Sequence, residues 1–114
     1  MVYAPTLAQL ANKILWSPLI ETVVFQFFII DAGRRLKWST VWQLFASSSV
    51  FTTAHAIGGG AAHGLLSGAI GGYYLAFTYV IFRERSLAWA FGMTLAFHSL
   101  HNGLTAVERF VKYG

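Results

Sequence analysis

A carboxylate, three imidazoles and an amide lie inside segments that are otherwise apolar. "SPLIETVVFQFF" carries Glu21, "VFTTAHAIGG" carries His55, and "LAFHSLHNGL" carries His98, His101 and Asn102. A carboxylate can take a proton from water, an imidazole can hold or pass one, and a side-chain amide is a fixed N–H donor. Together these types suit water-activating chemistry. His98 and Asn102 are four residues apart and so share one helix face, which His101 shares in part. Taken singly, each histidine also reads as a packed interhelical hydrogen-bonder. Glu21 alone also reads as a protonated glutamate bonded to a neighbouring helix.

The surroundings of these residues make them expensive. The chain has 114 residues, enough for one domain, of which 56% are hydrophobic and 11% charged, with a mean hydropathy of +0.57. Soluble domains are about a quarter charged, so this composition points to an integral membrane protein. In a membrane helix an ionisable side chain costs at least ~2.5–3.5 kcal/mol and marks a functional site by default. The net charge of +4 is spread over the junctions between apolar runs rather than gathered on one solvated face, which excludes nucleic-acid binding. With no cysteine there is neither a disulfide framework nor a thiolate chemistry. The first residues, "MVYAPTLAQLANKIL", lack the charged start and compact apolar core of a signal peptide, so the chain reads as mature throughout.

Charges cut the chain into apolar segments at 14–31, 38–57, 62–82 and 87–107. About 20 helical residues cross a bilayer core of roughly 30 Å. The expected fold is therefore all-α, a polytopic transmembrane bundle of about four spans in one membrane domain covering residues 1–114. Ser17-Pro18 reads as a helix start with proline at its first position. Residues 5–16 then lie on the membrane surface or extend the span through a kink. Trp16, Trp38, Trp42 and Trp89 fall near segment ends, as interfacial tryptophans do. Gly64, Gly68 and Gly72, with Ser67 and Gly71, make a small-residue face for close helix packing, or else for a homodimer.

Up-and-down crossings put the chain start, "GGG" at 58–60 and the chain end on one side. Glu21, His55, and His98 with Asn102 then fall in the same half of the bilayer from three different helices. The opposite side carries Arg34, Arg35, Lys37, Arg83 and Arg85 against Lys13, Arg109 and Lys112. That bias weakly assigns it to the cytoplasm.

The order "SPLIET", "FTTAH", "HSLHN", with a glycine-rich helix before the last, resembles the CPBP family. These are the type II CAAX prenyl endopeptidase and bacteriocin-processing (ABI) intramembrane proteases, whose motifs are EExxxR, FxxxH and HxxxN or HxxxD. Phe51 to His55 matches the second motif and His98 to Asn102 the third. The likeness covers roughly residues 17–107. In the first motif Thr22 stands for the second glutamate and Gln26 for the arginine.

The resemblance implies an intramembrane endopeptidase with Glu21, His55, His98 and Asn102 as catalytic residues. Glu21 and His55 would activate water, with Glu21 as general base, and His98 and Asn102 would donate to the oxyanion. A helix start at Pro18 would put Glu21 in a first turn, where the helix dipole favours its charge. A Zn²⁺ held by Glu21, His55 and His98 is the open alternative, although no HExxH occurs. His63 and His101 match no motif position and are expected to pack or support. Implied partners are the bilayer, a membrane-embedded or lipidated peptide substrate, and a second copy or another membrane protein that supplies helices this short chain lacks. The implied location is integral and multi-pass, in a prokaryotic-type plasma membrane. Two readings compete: an inactive relative acting as a membrane immunity or regulatory partner, and a b-type haem protein with His55 and His98 as axial ligands.

Overall fold

The structure is a computed structural model that describes residues 6–113, and the side chains of all of these except 63, 64, 67 and 113. Four helices make it, with no strand among the described residues. α1 runs Leu7–Arg35, α2 Thr40–Gly59, α3 61–83 and α4 Leu87–Tyr113. They pack antiparallel in sequence order, with α3 lying along both α2 and α4 and α1 set against α2 and α4.

α1 begins earlier than expected and runs without a break. Thr6 caps it in a reciprocal box: its Oγ1 accepts from Gln9 N at 3.1 Å, and its N donates to Gln9 Oε1 at 2.9 Å. Ser17 has helical dihedrals (φ −62°, ψ −48°) and is not a cap. A proline inside a helix has no N–H and its ring crowds the carbonyl four residues back. α1 absorbs Pro18 by widening into a π-turn over Asn12–Trp16, where Ser17 N bonds Asn12 O. A second π-turn spans Thr22–Phe28. Glu21 thus sits in mid-helix between two π-turns, and the expected help from a helix N-terminus is absent.

Two tight turns join the first and last helix pairs. Between α1 and α2, Leu36, Lys37 and Trp38 return their N–H groups to Ala32, Arg34 and Gly33 carbonyls, with Lys37 at φ +59°. Gly33 is needed there, because a Cβ would come within 2.9 Å of the Trp38 ring. Ser39 then caps α2 through Trp42 N at 3.4 Å, and Ser86 caps α4 through Trp89 N at 3.0 Å.

The interior is polar as well as apolar. Ile30, Ala76, Tyr79 and Ala90 form a small core cluster. Beside it Thr22, Gln26, Gln43, Ser47, Thr78, Thr94 and His98 are also buried. On α1 the buried positions Pro18, Thr22, Gln26 and Ile30 recur every four residues, and on α4 Ala90, Thr94 and His98 do the same. Large apolar side chains face outward instead, among them Leu15, Ile20, Phe28, Val41, Phe45 and Ile70.

The helices fall close to the expected segments. Among the described residues only α1 is long and apolar enough to cross a membrane. Ser47 to Ser49, Thr52, Thr53 and His55 dilute α2, and His98, His101 and Asn102 dilute α4.

Candidate functional site

The glycine face of α3 sets the position of α2. A Cβ on Gly68 would lie 3.1 Å from Thr52 Cα and 3.3 Å from His55 Cβ, and one on Gly72 would lie 2.8 Å from the Phe51 ring. Gly71 has open space instead. The small residues are therefore used for packing within the chain, against the Phe51–His55 turn. Gly64 and Ser67, the other members of that expected face, have side-chain positions outside the described set, as does His63.

Phe51 holds His55 twice. Its carbonyl lies 2.9 Å from His55 Nδ1, and its ring stacks on the imidazole at 4.1 Å between centroids, 22° from parallel. A carbonyl only accepts, so Nδ1 carries the proton and Nε2 of the neutral ring is the acceptor. The four-residue spacing of phenylalanine and histidine makes this possible, since residues one turn apart meet on a helix.

Glu21 meets both imidazoles. Its Oε2 lies 2.8 Å from His98 Nε2, and its Oε1 lies 3.7 Å from His55 Nε2. The first distance is a hydrogen bond in which His98 Nε2–H donates. The second exceeds hydrogen-bond reach and suits a bridging water. His98 is almost wholly buried, with 4% of its side chain exposed, whereas Glu21 and His55 keep 23% and 22%. The centre is thus closed behind His98 and open at Glu21 and His55.

Asn102 does other work here. Its Nδ2 donates to Lys13 O at 2.9 Å. In the π register of Asn12–Trp16, Lys13 O is the carbonyl that Pro18 would have to serve, and Pro18 has no N–H to give. Asn102 replaces the missing donor and ties α4 to α1. His101 faces outward and is exposed, outside the centre.

Deeper along the same interface, Thr22 Oγ1, both amide atoms of Gln26, Thr94 Oγ1 and His98 Nδ1 are buried without a hydrogen-bond partner among the described residues. Thr22 and Gln26 are the positions where the first motif departs from the family pattern. Sequence reasoning did not single out Thr94, although its place four residues before His98 puts it on the same face.

Glu21, His55 and His98 are chemically a zinc donor set. Among the described residues, however, no three His, Cys, Asp or Glu side chains are arranged to hold a metal ion. With Glu21 ionised, the short Glu21–His98 bond puts a proton on Nε2, the atom a metal would need bare. The zinc expectation therefore does not fit this arrangement.

A second polar group, also unforeseen, lies at the far end of α1. Asp31 Oδ1 accepts from Tyr79 OH at 2.9 Å and from Arg83 Nε at 3.3 Å.

The chain is all-helical and gathers one carboxylate and two imidazoles from three helices. The model of the type II CAAX prenyl endopeptidase Rce1-like family matches residues 3–104, and the chain belongs to that family. It is a membrane-embedded family of proteases. Neither the comparison with curated proteins nor that with solved structures gave a match.

Proposed function

We propose that the chain is an intramembrane endopeptidase working through a glutamate-activated water. The observation that carries this reading is the pair of distances from Glu21 to His98 and His55, 2.8 and 3.7 Å. A water between Glu21 Oε1 and His55 Nε2 gives one proton to each acceptor and turns an oxygen lone pair outward. His98 holds the other carboxylate oxygen and so aims the first.

The water oxygen attacks the substrate carbonyl carbon while its proton passes to Glu21. The carbon–nitrogen bond then breaks, and Glu21 returns the proton to the leaving amine. One water is consumed, and an acid and an amine are released. The negative charge on the carbonyl oxygen needs N–H donors. The second N–H of Asn102 and, once Glu21 is protonated, His98 Nε2–H are the groups proposed for this. No metal takes part in this scheme, so a chelator leaves cleavage unchanged. Loss of cleavage in chelator and its return with Zn²⁺ favour the metal-dependent form.

A multi-pass arrangement of all four helices is part of the same proposal. It is supported by the outward-facing large apolar side chains and the polar interior, the reverse of a water-soluble bundle. The proposed substrate is a membrane-embedded or lipidated peptide.

The test uses the purified full chain in lipid with a panel of reporter peptides. Glu21→Gln, His55→Ala and His98→Ala are each expected to abolish cleavage while helix content stays as in the wild type. A second reading, an inactive relative that binds another membrane protein, is favoured by the unpartnered Thr22 and Gln26 and by the bond Asn102 makes to the backbone. It prevails if the wild type cleaves nothing across the panel and the same three variants keep the biological phenotype.

A further inference from the structure

The turn from α1 into α2 carries three cations close together: Arg34, Arg35 and Lys37, all exposed. Their side chains make no hydrogen bond or ion pair with any described residue. The other cations at this end are engaged, since Arg83 bonds Asp31 and Arg85 lies 5.5 Å over the Trp89 ring. Asp31 is thus already paired with Arg83. Arg34 and Arg35 suit the negative end of α1, but Lys37 lies beyond the helix. Lys37 also holds φ +59°, where glycine would be unstrained.

An apolar groove of about 460 Å³ opens directly beside this turn, lined by Trp38, Trp42, Phe45 and Ala46. Its wall is built rather than incidental. Trp38 packs on Gly33, its N bonds Gly33 O at 2.8 Å, and its carbonyl accepts Gln43 Nε2 at 2.9 Å. Trp42 and Phe45 pack edge to face, 5.8 Å apart. Cations within a few residues of an aromatic-walled apolar slot fit a molecule with an anionic head and a hydrocarbon tail.

We propose that this turn and groove bind an anionic phospholipid. Its phosphate sits among Arg34, Arg35 and Lys37, and one acyl chain lies against Trp38, Trp42 and Phe45. The site is at the opposite end of α2 from His55. It rests on the family's membrane location and not on the hydrolytic reading of Glu21.

The experiment places the full chain, with Trp16→Phe and Trp89→Phe, in phosphatidylcholine nanodiscs, so that emission comes from Trp38 and Trp42. A minor fraction of brominated phosphatidylglycerol or brominated phosphatidylcholine is added. The phosphatidylglycerol is expected to quench severalfold more at equal mole fraction. Arg34→Gln, Arg35→Gln and Lys37→Gln together should cut its relative affinity roughly 100-fold, at about fivefold per cation. Raising salt on the chain with these cations intact should erode the preference in the same direction, which keeps the test decisive if the triple variant folds badly. Ala46→Phe, which fills the groove, leaves every charge and adds no tryptophan, should reduce quenching. Equal quenching by the two lipids, or a preference that survives both charge removal and high salt, overturns the proposal.

Discussion

α1 carries two inward-facing carboxylates, and their partners set their use. Asp31 is answered by an arginine and a tyrosine hydroxyl. Glu21 is answered by one imidazole at hydrogen-bond distance and stands 3.7 Å from a second, a spacing that one water beside the two can bridge. An arginine cannot give up its proton, so the Asp31 group is a fixed electrostatic clamp. Histidine can hold, donate or accept, so the Glu21 group can cycle. Helix, residue class and depth of burial are similar in the two places. What separates structural from chemical use is whether the partner's protonation can change.

The comparison breaks most visibly with Glu21→Gln. Loss of a general base lowers rates by about 10²–10⁴-fold, so peptide cleavage by this variant should drop by about that factor with its unfolding midpoint in detergent nearly unchanged. If stability falls and cleavage survives, Glu21 is another clamp. Asp31→Asn should give the reverse pattern. Its partly buried cation loses its counter-charge, costing about 2–3 kcal/mol of stability, while turnover per folded molecule stays near that of the parent. Denaturant titration beside an active-site-normalised assay separates the two.

Gly72→Ala and Gly71→Ala sharpen the link from packing to chemistry. The first puts a methyl 2.8 Å from the Phe51 ring and should cost about 1–3 kcal/mol together with activity, because Phe51 positions His55. The second meets open space and should change neither by more than about 0.5 kcal/mol. Asn102→Ala should cost about 1 kcal/mol for the bond to Lys13 O, the smallest loss apart from the near-neutral Gly71→Ala. Pro18→Ala restores an N–H for that carbonyl and should shrink the loss, measured as coupling in a double-mutant cycle. If Asn102→Ala instead abolishes cleavage at unchanged stability, its amide acts on the substrate.

The residues that met were legible because each is costly in its surroundings. Glu21, His55 and His98 stood out by type, and their matching depth on three helices placed them together. The glycine spacing in "GLLSGAIGG" foretold close packing, and Gly68 and Gly72 show its partner to be the Phe51–His55 turn. Ser17-Pro18 misled because the widening of α1 leaves no mark on hydropathy, and a proline reads as a start wherever a helix is assumed to be α throughout. The bond from Asn102 to Lys13 O was not legible, because its partner is a backbone carbonyl, which has no residue type to notice. Asp31 read as a boundary charge, since nothing in the chain order pairs it with Arg83, 52 residues away.

His55 borrows its proton placement from the helix that carries it, through the carbonyl of Phe51. That helix closes on Gly58 and Gly59, and Gly60 follows at φ +93°. Glycine gains more backbone freedom on melting than any other residue, so this is where warming frays α2 first. The imidazole's orientation would then loosen while nearly all of the helical signal persists. Heat inactivation should accordingly run ahead of the circular-dichroism transition, as a loss of aim before a loss of shape.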